Sequence, residues 1–168
     1  MESGEKNILV LCAGHPFKRD AAFGVHVAKV LEKMELPENV EFIEVGESAS
    51  EFPHIIDGKD KLIIVDVFQI KDEPGTIVRL RPEEVPITVD GVTDVSKLHL
   101  LELLEEISIS GKCPETLFIG VVPKDIRTTS PQLTPEVESK IPEVIDLILK
   151  EVSQGLVAKD RKDSLSEE

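Results

Sequence analysis

Tryptophan and tyrosine are absent from this sequence, and there are only 6 Phe in 168 residues. A stacking platform for nucleic-acid bases is therefore poorly supplied. Basic residues are also few: 19 Lys and Arg stand against 33 Asp and Glu, a formal net charge of −14. Binding to phosphate backbones or anionic membranes rests on Lys and Arg, so neither nucleic acid nor a membrane is expected as a partner. The two cysteines, Cys12 and Cys113, cannot make a disulfide framework or a four-cysteine zinc site. No apolar run approaches the roughly 20 residues that span a bilayer. The opening MESGEKN has none of the layout of a secretion signal. A cytoplasmic protein is expected, and monomer is the default, since the charge gives no hint of a self-complementary patch. Apolar residues make up 40%, enough for a packed core. The length suits a single domain, taken as 1–158, with a charged tail over 159–168.

What is present is a set of apolar runs separated by breakers. NILVLC (Asn7–Cys12), LIIVDV (Leu62–Val67) and TLFIGVV (Thr116–Val122) are continuous rather than alternating, which predicts strands buried on both faces. VEFIEV (Val40–Val45) alternates and reads as a strand nearer an edge. TIVRL (Thr76–Leu80) follows the turn Glu73-Pro74-Gly75 and is expected to run antiparallel to its predecessor. Helices are predicted over Ala21–Met34, Val95–Ile109 and Glu136–Val152, with a short one around Ser50–Ile56. In the first, Val27, Val30, Leu31 and Met34 form one stripe. In the last, Val137, Ile141, Val144, Ile145, Ile148 and Val152 do. Arg81–Gly91 reads as a proline-broken connection. Strands interleaved with helices imply a three-layer α/β fold. Its sheet would be twisted and mostly parallel, flanked by helices, with one antiparallel strand. Chemistry in such folds gathers outside the carboxyl ends of the strands.

That rule directs attention to a few residues. Asp66 is an acid inside an apolar strand, and burying an unpaired carboxylate is costly. A metal ligand or catalytic acid and a structural acid holding a neighbouring loop's amides are equally compatible with it. Asp20 precedes the first helix, where an N-cap role outweighs a ligand role. His15-Pro16-Phe17-Lys18-Arg19 is a basic loop before a helix, a place that can hold a phosphate. It lacks the second and third glycines of a dinucleotide fingerprint. No two of His15, His26, His54 and His99 have the spacing of a zinc protease. His99, early in its helix, can face the sheet edge, though a lone helical histidine is more often packed or exposed. Cys12 reads as core.

Taken together and in order, these segments resemble the hydrogenase maturation endopeptidases. LVLCAGHPFKRDAAFGVHVAKVLEK is similar to the family's opening strand, G-N-x-L-x-x-D-[DE]-x-x-G loop and helix, with Gly14, Asp20 and Gly24 matching. LIIVDVFQIKDEPGTIVRL is similar to its strand ending in Asp and its P-G turn. Val95–Glu106 followed by TLFIGVVP resembles its later helix and final strand end. The resemblance implies a nickel-dependent endopeptidase of aspartic type. Such an enzyme removes a C-terminal extension from the large-subunit precursor of a nickel–iron hydrogenase, with nickel recognised in the substrate rather than kept by the protease. Asp66 matches the strand-end ligand. The first-loop ligand falls on Ala21, next to Asp20, and the histidine position falls on Ser96, three residues before His99. A substitute set drawn from the neighbouring residues is Asp66 and Asp20 as catalytic acids, and Asp66, Asp20 and His99, with His15 as a further candidate, toward the metal. Because Ala offers no lone pair and Ser is a poor nickel ligand, a relative that binds a hydrogenase subunit without cutting it is the alternative. A nucleotide-binding α/β protein is a third.

Overall fold

The computed structural model describes residues 6–45 and 52–153, without the side chains of Phe52 and Pro53. The expected tail over 159–168 and the expected helix start at Ser50 lie outside the described residues. Five strands form the main sheet: β1 (Ile8–Ala13), β2 (Val40–Val45), β3 (Lys61–Val67), β4 (Ile77–Leu80) and β7 (Glu115–Val121), in the order β2-β1-β3-β7-β4. All neighbours are parallel except β4, which runs antiparallel to β7. β4 thus runs antiparallel to its predecessor β3, as expected, and it bonds the far side of β7 because the Glu73–Thr76 turn carries the chain past that strand. The Gly75 amide donates to the Val122 carbonyl (2.8 Å), and the Val122 amide donates to Thr76 (2.9 Å).

Two apolar cores lie on the two sides of this sheet. On one side Val10, Cys12, Ile63, Val65, Ile119 and Val121 pack against α1 (Phe23–Glu32) and a C-terminal helix α5 over residues 141–153. On the other, Leu9, Leu11, Leu62, Ile64 and Phe118 pack against α2 (Phe52–Ile56) and α3 (Val95–Ile109). The central strands are therefore covered twice, which is why they read as continuous apolar runs. β2 sits at the edge, and its burial does not alternate as expected: Val40 and Phe42 face one core, Ile43 and Val45 the other, with Glu41 and Glu44 exposed between them. Cys12 is fully buried, and burial with Glu44 nearby pushes its thiol up to about 12. No helix is long and apolar enough to cross a membrane among the described residues.

Three further elements depart from expectation. The single helix expected over Glu136–Val152 is two pieces, α4 (Pro135–Glu138) and α5, divided by a turn at Ser139–Lys140. Pro142 explains the break, since its ring collides with the carbonyl four residues back and it has no amide to donate. Within the Pro-broken connection lie a short 3-10 turn at Pro82–Glu84 and the first strand of a small hairpin, β5 (Thr88–Val89) with β6 (Val92–Thr93). Asp90 and Gly91 both have positive φ (52° and 78°), the geometry a two-residue hairpin loop requires. The first helix starts later than Ala21, because Arg19–Ala22 is a 3-10 turn leading into α1.

Candidate functional site

In the strand order, β1 connects to β2 on one side, and β2 connects back across to β3 on the other. The carboxyl ends of β1 and β3 thus flank the switch point, the crevice where open α/β sheets take ligands. Asp66 is the penultimate residue of β3 and stands at this end. Residues alternate along a strand, so Asp66 lies on the side of Leu62, Ile64 and Phe68, facing α3. Its partner across the ladder is Gly120. A Cβ at Gly120 would come within 1.7 Å of the Asp66 carbonyl oxygen and 2.8 Å of the Phe68 ring. Glycine alone lets β7 and β3 close at this point.

Asp66 does not stand alone. Its Oδ1 accepts from the Val67 amide (2.7 Å), and its Oδ2 lies 3.4 Å from Nζ of Lys97. The same ammonium donates to Oδ2 of Asp94 at 2.8 Å and lies 5.0 Å from the centre of the Phe68 ring. Asp94 is the N-cap of α3 and also accepts from the Lys97 amide (3.1 Å). Capping thus fixes the first turn of α3, and that turn aims Lys97 inward. The lysine side chain is 6% exposed and that of Asp66 is 20% exposed. Burial pushes the Asp66 carboxyl upward from its ordinary range, against the Lys97 charge and the Val67 amide. Burial pulls the Lys97 ammonium downward, but the Asp66 and Asp94 charges outweigh it and the net shift is upward.

Asp20 is placed differently from either reading given above. It is fully buried, and neither the 3-10 turn nor α1 has a side-chain N-cap. Its carboxylate accepts instead from the amides of Lys124 (2.8 Å), Asp125 (2.9 Å) and Thr134 (2.8 Å), and from the Thr134 hydroxyl. The loop after β7 is thereby tied to the loop after β1. The Arg19 amide on Ser130 (2.9 Å), the Asp20 amide on Asp125 (2.9 Å) and the Ser130 amide on Phe17 (3.0 Å) complete the join. Asp125 closes its own turn by accepting from Arg127 and Thr128, bonds that hold its carboxyl down at about 2.

His99 is exposed, as is Ser96, while the inward face of α3 is made by Lys97, Leu100 and Leu104. Ala21 is half-buried and has no donor to offer. Among the described residues no three His, Cys, Asp or Glu side chains gather so as to hold a metal ion. The fold therefore brings Asp66 to Lys97 and Asp94, and does not assemble Asp66, Asp20 and His99 into one cluster. Lys97 and Asp94 were missed as site residues. The signal was available: Lys97 shares the 3–4 spacing of Leu100 and Leu104, a charged residue on an apolar stripe.

Comparison with known proteins agrees with this architecture. Residues 25–151 match the family model described as hydrogenase maturation protease. The chain is 33% identical to the hydrogenase 2 maturation protease of Escherichia coli, covering 84% of this chain and 88% of that one. It is 30% identical to the coenzyme F420 hydrogenase subunit delta of Methanothermobacter thermautotrophicus, over 88% and 96% of the two chains. The solved structure of the E. coli hydrogenase maturating endopeptidase HybD superimposes with a TM-score of 0.80 at 31% identity. That match covers 88% of this chain and 93% of HybD. With a match of this length and a shared fold, the chain belongs to the hydrogenase maturation protease family.

Proposed function

We propose that this protein trims the C-terminal extension of a hydrogenase large-subunit precursor, as an endopeptidase of aspartic type acting in the cytoplasm as a monomer. The observation that carries the reading is Asp66: an acid with a raised pKa at the carboxyl end of β3, beside the switch point. In its ionised form Asp66 accepts a proton from the attacking water. In its protonated form it donates one to the departing amine. Asp20 keeps the β1 and β7 loops in register around this edge rather than touching substrate. A peptide reaching the edge meets a carboxylate whose orientation is set by the Val67 amide and Lys97.

A second reading is favoured by a specific feature: Asp66 is already ion-paired, and Ala21 stands where the related loop carries an acid. In that reading the chain holds a hydrogenase subunit by the same edge without cutting it. One experiment separates them. The chain is incubated with the large-subunit precursor of the same organism, and the precursor's mass is followed. Cleavage shortens the precursor at its C-terminus, and Asp66→Asn slows that step by about 100-fold or more, the usual weight of a general base. Complex formation with no mass change supports the binding reading. Normal cleavage by Asp66→Asn refutes the role given to this residue.

A further inference from the structure

The position of Lys97 has a consequence for what the Asp66 edge can recognise. Its ammonium is almost fully buried, held by Asp94 at 2.8 Å and Asp66 at 3.4 Å, with the Phe68 ring beneath it. A buried ammonium needs counter-charge, and the two carboxylates supply it. Lys97 lies in the capped first turn of α3 and packs in line with Leu100 and Leu104. A divalent ion approaching Asp66 would meet this fixed positive charge at contact distance, where repulsion is least screened. The surrounding donors do not compensate. Ala21 has none, Asp20 is spent on Lys124, Asp125 and Thr134, and among the described residues no three His, Cys, Asp or Glu side chains gather so as to hold a metal ion. The residues present do not fit a metal-reading site.

We infer that Lys97 is a specificity-determining residue: its ammonium is the fixed cation of the Asp66 edge, so the protein engages its polypeptide substrate whether or not that substrate carries nickel. The inference rests on the reading of this edge as the one that faces the hydrogenase precursor. Lys97 acts through Asp66 and is a positioning residue.

The test uses the full chain and the precursor in nickel-loaded and nickel-free forms, with capture and trimming both measured. For the wild type the two forms are expected to agree within about threefold. Lys97→Met removes the charge and leaves Asp66 and Asp94 unpaired, and should shift preference toward the loaded form by about tenfold or more. Lys97→Arg keeps the charge and should retain the wild-type indifference to nickel, whatever its overall rate. A wild type that prefers the loaded precursor by tenfold or more overturns the inference, as does a preference unmoved in a folded Lys97→Met. If the wild type engages neither form, the proposed function itself falls. Calorimetric titration of the free protein with nickel chloride then decides the role of Lys97. No saturable uptake by the wild type, with uptake by Lys97→Met that is lost on adding Asp66→Asn, upholds it. Uptake by the wild type that depends on Asp66, or none by folded Lys97→Met, overturns it. Circular dichroism melting establishes which variants are folded.

Discussion

Asp20 offers the sharpest test of the structural reasoning, because a ligand and a clasp predict opposite results on mutation. In Asp20→Ala, four donors lose their acceptor: three backbone amides at Lys124, Asp125 and Thr134, and the Thr134 hydroxyl. Hydrogen bonds to a charged group contribute about 1.5–3 kcal/mol each, and they are not additive. Water entering the vacated space re-satisfies some of the amides. Each buried donor left without an acceptor costs about 1–3 kcal/mol, so with partial re-satisfaction a net loss of about 3–5 kcal/mol is expected. At about 2–4 °C per kcal/mol for a chain of this size, Asp20→Ala should melt about 6–20 °C below the wild type. Asp20→Asn should not rescue it, since its amide NH2 must face either the Thr134 amide on one side or the Lys124 and Asp125 amides on the other. The assay is thermal melting by circular dichroism, with proteolysis across 123–134 as a local probe. An Asp20→Ala protein that melts within about 2 °C of the wild type, below the effect of 1 kcal/mol, would refute the clasp and return Asp20 to the candidate site.

Three other outcomes follow from the same geometry. Glu151, on α5, is paired with Lys61 (2.9 Å) and Arg79 (2.6 Å) across the sheet. Burial pushes its carboxyl upward, but the Lys61 and Arg79 hydrogen bonds and charges outweigh that and lower it. Its contribution is therefore present above the ordinary Glu value of about 4.3 and lost as pH falls through the lowered native value. Glu151→Gln should flatten that acid limb of the stability–pH curve, and an unchanged limb would refute the pairing. Gly120→Ala forces a Cβ to 1.7 Å from the Asp66 carbonyl. It should destabilise by about 3 kcal/mol or more, read by denaturant unfolding, and a neutral effect would mean β3 and β7 are not this close. His99→Ala, on the exposed face of α3, should change stability by less than about 0.5 kcal/mol and leave precursor trimming unchanged. Loss of trimming in a folded variant would bring the imidazole into the site.

The elements readable in the sequence were those whose burial is total or whose periodicity is local. β1, β3 and β7 are covered on both faces, so their apolar runs are unbroken. β2, at the edge, is interrupted by the exposed Glu41 and Glu44. Asp94 and the Lys97–Leu100–Leu104 stripe start and orient α3 by local rules. Two local signals were passed over: Asp90-Gly91 between β-branched residues, which marks a hairpin, and Pro142, which marks the break between α4 and α5. Family membership was legible because its motifs are short, ordered and local.

The strand on which β4 would close is not a local property. The turn before it is encoded, but its docking on β7 depends on which edge the rest of the sheet leaves free. The fate of the two acids is likewise not encoded at their own positions. Asp20 lies just after one apolar strand and Asp66 near the end of another, which invites the same reading. Only folding sets the amides of Lys124, Asp125 and Thr134 around Asp20, from more than 100 residues away, and the ammonium of Lys97 beside Asp66. A carboxylate takes its role from the donors and charges that tertiary packing places within hydrogen-bond reach. In this chain that packing makes Asp20 a clasp and Asp66 the anion of a buried ion pair at the sheet's carboxyl edge.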